Sequence, residues 1–168
     1  MIIETVKDKL RDLFPAPAEP AVAELEAEKP QTAEAEIGVF DCNYAKQGYH
    51  LDVRLSPDQL LTTVGILYDH GFFIESITGV DWIKDGQLEA TYDFCRYDFD
   101  LCRVVVRTRT PRANPILPTI TGIYSGASWH ERETHDFFGI VFEGHPHLIP
   151  LLLPEDADFH PLLKDFKA

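Results

Sequence analysis

Residues 72–110 read FFIESITGVDWIKDGQLEATYDFCRYDFDLCRVVVRTRT. The stretch divides into three strand candidates, Phe72 to Trp82, Leu88 to Tyr97 and Leu101 to Thr110, with the hairpin signal Lys84-Asp85-Gly86 between the first two. In the last strand Cys102, Val104, Val106 and Thr108 alternate with Arg103, Val105, Arg107 and Arg109, so one face is expected to look inward. The other carries an arginine strip, solvated or facing a partner. A punctuated helix precedes this meander: Ser56 is placed to cap it, with Pro57 at its first position and Gln59 at its third. Leu60, Leu61, Val64, Leu67 and Tyr68 form its buried stripe, and Gly71 stops it. Further back, Gly38 to Cys42 and Tyr49 to Leu55 read as strands. Helices on a mostly antiparallel sheet define an α+β fold, with strand order left open.

Outward from this domain, residues 1–14 place Ile2, Ile3, Val6, Leu10, Leu13 and Phe14 at helical spacing, which predicts a short amphipathic helix. Residues 15–36 change character: Pro, Ala and Glu dominate, no aromatic occurs, and six glutamates face only Lys29. Such a segment cannot bury enough apolar surface to offset its ordering entropy and is expected to be an acidic tether. The folded α+β domain is therefore expected over residues 37–142, followed by a tail over 143–168.

The 168-residue chain has a formal charge of -13, which disfavours a nucleic-acid backbone or an anionic membrane surface as main partner. Its cysteines, Cys42, Cys95 and Cys102, contain no Cys-x-x-Cys pair and are expected to be buried thiols in a reducing compartment. No apolar run approaches the roughly 18 residues of a membrane span, and the N-terminus lacks a signal core, so a cytoplasmic location is expected.

Residues 127–139, ASWHERETHDFFG, hold the densest cluster of reactive side chains. The Ser128 and Glu131 spacing is that of a capping box, placing the helix between Trp129 and Gly139. A zinc-binding helix needs its histidines four apart, whereas His130 and His135 are five apart, about 140° around the axis, so no metal site is expected on it. One side gathers Trp129, Arg132, Glu133 and Asp136, and the other Glu131, Thr134, His135 and Phe138. Neither side is simply apolar, so these polar groups are expected to pair across a contact with another chain, with Arg132–Asp136 one candidate ion pair; the alternative is an exposed helix with its own satisfied ion-pair network. Glu131 with His135 reads as a surface pair.

The last stretch, EGHPHLIPLLLPEDADFHPLLKDFKA, interrupts a leucine-rich run with prolines at 146, 150, 154 and 161. Prolines this frequent forbid both a useful helix and a central strand, so the tail must lie extended along its own domain or along a neighbour. Its His145, His147 and His160 are read as structural and not as a metal site.

The residues from Leu117 to Phe166, above all Glu131-Arg132-Glu133-x-x-Asp136-x-Phe138-Gly139-Ile140, Gly144-His145-Pro146 and His160-Pro161-Leu162 with Lys164-Asp165-Phe166, resemble the thirty-kilodalton subunit family of respiratory complex I. In bacteria this is the C subunit of the NADH:quinone oxidoreductase, with relatives in energy-converting membrane-bound hydrogenases. Thr78, Val80 and Asp81 add to the likeness, which spans roughly residues 50 to 166. Ile149-Pro150 stands where the family usually carries an arginine pair, and Leu163 replaces another basic residue.

The resemblance implies a non-catalytic subunit without a cofactor, metal or catalytic residue of its own. Its complex would lie on the cytoplasmic face of the membrane, and flavin, iron-sulfur or nickel-iron centres would sit in partner subunits. The implied partners are a large quinone-site or hydrogenase-like subunit and neighbouring iron-sulfur subunits. The expected partner-interface residues are Trp129, Glu131, Arg132, Glu133, Asp136, Phe138, His145, Pro146, Leu148, His160, Lys164 and Asp165. Two other classes are weighed beside it: a metal-dependent hydrolase using Glu131, His130, His135 and the tail histidines, and a binding module acting through the acidic linker.

Overall fold

The structure is a computed structural model and describes residues 2–14, 36–98 and 101–167. The tether expected over 15–36 falls, except for Glu36, outside the described residues.

Helix α1 (Ile2–Arg11) lays Val6 and Leu10 into the core. Strand β1 (Gly38–Asp41) leads to a single helical turn, α2 (Tyr44–Gln47), and to strand β2 (Leu51–Leu55). The punctuated helix forms where expected, but its first turn, Pro57–Gln59, is a 3-10 turn that continues into α3 (Leu60–Asp69). Gln59 Oε1 accepts from the Ser56 amide at 3.3 Å and from its hydroxyl at 3.0 Å, closing the N-terminus. The meander follows as β3 (Phe73–Trp82), β4 (Gln87–Arg96) and β5 (Cys102–Pro111).

These five strands make one sheet in the order β1-β2-β5-β4-β3. All its pairs are antiparallel except β2 with β5, where Val53 lies opposite Val106 in parallel register. The mixed pair arises because α3 carries the chain from β2 to the far side of the sheet before the meander returns, so β5 enters beside β2 in the same direction. A second, two-stranded sheet pairs β6 (Ile116–Pro118) with β7 (Val141–Glu143) in parallel, with α4 (Ala127–Phe138) as the connection.

One sheet face, with Leu51, Val53, Tyr92, Phe94, Val104 and Val106, closes on α1, α3 and α4 in a single core. The opposite face bears the arginines of β5, but they do not form a free basic strip. Arg107 pairs with Asp52 at 2.9 Å, Arg109 with Glu89 at 2.9 Å, and Arg103 with Glu75. Asp52 and Glu89 stand on the strands flanking β5, and Glu75 reaches Arg103 from β3 across β4, so cross-strand pairing neutralises the strip. Arg54 also holds Asp52, and Arg109 stacks on Trp82.

Helix α4 can approach β3 closely because Gly79 has no side chain: a Cβ there would lie 2.3 Å from the Phe138 ring. At the end of α4, Gly139 adopts φ 76° and its amide donates to His135 O, closing the helix by the left-handed route that a side chain disfavours.

Candidate functional site: helix 4 and the C-terminal strap

After β7 no helix or strand occurs in the described residues to 167, and the chain crosses α4 as a strap. Three anchors hold it. Asp136, buried on the outer turn of α4, accepts through Oδ2 from the backbone amides of Leu151, Leu152 and Leu153 at 2.8, 2.7 and 3.1 Å. Burial pushes the Asp136 carboxyl up, but these three amides and the nearby His135 outweigh it and hold it below its ordinary range. One turn back, Arg132 donates to Ile149 O at 3.0 Å and Pro150 O at 2.9 Å while its guanidinium covers the Trp129 ring.

The second anchor is the end of α4, where the His160 ring donates to Asp136 O at 2.8 Å and the Leu162 amide to Phe137 O at 3.1 Å. The third is Asp81 at the end of β3, almost fully buried. It accepts from the Lys164 amide at 2.8 Å and from Arg112 at 3.0 and 3.2 Å, and Arg112 also bonds Asp165. At each anchor a side chain or helix end captures strap backbone, and strap side chains His160 and Asp165 add to the hold. This is how a proline-broken segment satisfies its polar groups without secondary structure.

The expected interface residues therefore divide. Glu131 is fully buried, Asp136 and Phe138 nearly so, and the His145 imidazole is shielded from solvent. These four side chains are buried within the chain and hold the face together from inside. The Arg132–Asp136 pair does not form, because both side chains are spent on strap backbone. The Ser128–Glu131 capping box does not form either. Gly126 occupies the cap position, and Glu131 instead accepts from the Ile120 amide at 2.8 Å and the Thr119 hydroxyl at 2.5 Å. Nor is Glu131 a surface partner of His135, whose ring bonds Ile140 O.

What remains outward is Trp129, 61% exposed, together with Pro146, Lys164, Asp165 and the half-buried Glu133. Leu148 packs partly on the core. The sequence alone does not single out the strap residues that add to the exposed apolar surface: Leu152 at 60%, Leu162 at 52%, and Phe159 stacked on Phe166. Their exposure follows from the anchoring of the backbone groups around them, which no side-chain pattern signals. Exposed apolar side chains mark an interaction face where they join into one patch, as the stacked Phe159 and Phe166 begin to do.

The metal reading finds no support in the geometry. Among the described residues no group of three or more His, Cys, Asp or Glu could hold an ion. The rings of His135 and His160 each bond a backbone carbonyl, and His145 accepts the His147 amide. An open groove of about 990 Å³ lies on the opposite sheet face over Arg54, Arg107 and Arg109. Its arginines are already paired with Asp52 and Glu89.

An α+β domain with a mixed, mostly antiparallel sheet, strapped by its own C-terminal segment and showing an apolar outer face, has the character of a subunit. The chain belongs to the family of the respiratory-chain NADH dehydrogenase 30 kDa subunit, whose model matches residues 53–168. It is 36% identical over 120 residues to the C subunit of the NADH-quinone oxidoreductase of Roseiflexus sp. (strain RS-1), covering 68% of each chain. It is 38% identical over 102 residues to the C subunit of the F(420)H(2) dehydrogenase of Methanosarcina mazei, covering 60% of this chain and 62% of that one.

Among solved structures, a chain of the membrane-bound sulfane sulfur reductase, an archaeal respiratory membrane complex, matches with a TM-score of 0.63 and 31% identity, over 70% of this chain and 71% of that chain. The trypsin-resistant fragment (1-134) of Nqo5 matches with a TM-score of 0.53 and 33% identity, over 58% of this chain and 82% of the fragment. No helix among the described residues is long and apolar enough to cross a membrane.

Proposed function

We propose that this chain is a non-catalytic peripheral subunit of a membrane-associated oxidoreductase complex related to NADH:quinone oxidoreductase, and that it docks through the outer face of α4 and the strap. The observation that carries the reading is the coincidence of two features. The family match runs through α4 and the strap, where the sequence motifs that carry the resemblance also lie, and there the chain leaves Trp129, Leu152 and Leu162 in water. A buried framework of Glu131, Asp136 and Asp81 holds this face in shape, so docking requires little ordering at the moment of contact. The occupant is the large subunit that forms the quinone or hydrogenase-like cavity. Flavin, iron-sulfur or nickel-iron centres belong to the partner subunits, and the complex holds this chain at the cytoplasmic face of the membrane.

The likeness to the sulfane sulfur reductase chain favours a second reading, the equivalent subunit of another energy-converting complex, hydrogenases included. The two readings share the docking face and differ in the companions. Both are tested by purifying a tagged full-length chain from solubilised membranes of its own host. The wild type is expected to bring down flavin- and iron-sulfur-bearing companions, or a nickel-bearing one, while Trp129→Ala loses them with unchanged circular dichroism. Undiminished co-purification of the variant would remove the docking face from the proposal.

A further inference from the structure

The docking role leaves one buried group unexplained. Glu131 is fully enclosed between α4, the 119–121 loop and the segment after β7, yet no cation among the described residues is paired with it. Its Oε1 accepts from the Ile120 amide at 2.8 Å, and its Oε2 lies 2.5 Å from Thr119 Oγ1. Thr119 Oγ1 is in turn 2.9 Å from Thr121 Oγ1 and accepts the Thr121 amide at 3.2 Å. Both threonines line an open cavity of about 570 Å³ that also reaches Ser128 and Pro146. A carboxyl sealed in the protein is thus joined to solvent by two consecutive hydroxyls.

The other groups facing Glu131 do not neutralise it. His145 Nε2 stands 4.0 Å from Oε2, too long for a hydrogen bond, with its hydrogen directed at Ser128 O and Oγ at 3.3 and 3.2 Å. Because Nδ1 of the same ring accepts the His147 amide at 3.0 Å, the network assigns the proton to Nε2 and the ring is neutral. Burial lowers the His145 pKa further. From β4, Tyr92 presents a fully buried hydroxyl with no hydrogen-bond partner among the described residues, and burial first and the Glu131 charge second raise its pKa well above the ordinary phenol value. On α4 itself, Arg132 is committed to strap carbonyls and His135 to Ile140 O.

We infer that Glu131, Thr119 and Thr121 form a proton-exchange site, in which the buried carboxyl gives up and takes back one proton through the two hydroxyls without movement of the surrounding heavy atoms. In the charged state Thr119 donates to Oε2. In the neutral state the Glu131 O–H donates to Thr119, which donates to Thr121. On unloading, Glu131 passes its proton to Thr119 Oγ1, Thr119 passes its own to Thr121 Oγ1, and Thr121 passes one to water in the cavity. Each hydroxyl ends with one proton, and the carboxyl is left with one negative charge. The Glu131 pKa agrees with this use: burial raises it to about 7, against the lowering by Thr119 and the Ile120 amide, so both states are populated near neutrality.

Infrared difference spectroscopy of the full chain across a pH series tests the site through the carbonyl band of a buried carboxylic acid. The band is expected to rise as pH falls, with a midpoint near neutrality, and to be missing in Glu131→Gln, whose amide oxygen keeps the bond from the Ile120 amide while its amide nitrogen donates to Thr119 Oγ1. A midpoint in the ordinary carboxylate range, or a band that survives in Glu131→Gln, overturns the site. Thr121→Val, which leaves the Glu131 contacts intact, is expected to keep the midpoint and slow relaxation after a pH jump by tenfold or more. Relaxation as fast as in the wild type overturns the hydroxyl route.

Discussion

Glu131 and Asp136 sit five positions apart on one helix, are both buried, and titrate in opposite directions because their donors differ. Asp136 receives three amides on one oxygen, whereas Glu131 receives one amide and one hydroxyl, too little to offset burial. The signs follow by linkage. Glu131 has its folded pKa raised, so its contribution is full below 4.5 and is lost as pH rises through about 7, a change on the order of 3 kcal/mol. Asp136 has its folded pKa lowered, so its contribution is present above the ordinary aspartate value and is lost on acidification through its folded pKa. Denaturant melts at several pH values should therefore show Glu131→Gln gaining on the wild type as pH rises from 5 to 8; parallel curves would contradict the burial argument. Gly79→Ala should cost about 1–3 kcal/mol in the same melts, since its Cβ would press into Phe138.

At the scale of elements, most of the sheet is legible in the sequence because the strands announce themselves by alternation and most breaks by Gly or Pro, the β4–β5 connection at residues 97–101 having neither. Thus β3, β4 and β5 begin and end within a residue or two of the limits read from residues 72–110. The parallel pairing of β2 with β5 is not legible, since it joins strands about fifty residues apart whose partner choice depends on where α3 takes the chain. The three-residue strands β6 and β7 are too short to carry a pattern.

Glu131 misleads for a related reason. The Ser128–Glu131 spacing mimics a local cap, while the carboxylate reaches a loop eleven residues upstream. The arginine strip reads as free because its acids, Asp52 and Glu89, become neighbours only once strand order is known. The strap is recognisable as extended, but its fastening to Asp136 and Asp81 depends on backbone amides, which side-chain patterns do not reveal. Asp136→Asn, which leaves a single neutral oxygen for three amides, should cost about 2 kcal/mol locally and speed hydrogen exchange at Leu151, Leu152 and Leu153 by roughly thirtyfold. Unchanged exchange there would mean that the carboxylate does not hold the strap.

For the whole molecule, the decisive asymmetry lies between its two faces. The outer sheet face closes its charges within the chain, while the α4–strap face closes its backbone but leaves aromatic and leucine side chains in water. A chain with that distribution gains most from a neighbour over the second face. Burying the exposed half or so of Trp129, Leu152 and Leu162 there would contribute roughly 1–2 kcal/mol each before association costs. Hydroxyl-radical footprinting of the free chain and of the complex purified from its host's membranes tests this most directly. Strong oxidation of Trp129, Phe159 and Phe166 is expected in the free chain and their protection in the complex, with the exposed Tyr97, which bonds Glu75, labelled equally in both. Equal labelling of Trp129 in the two states would contradict it.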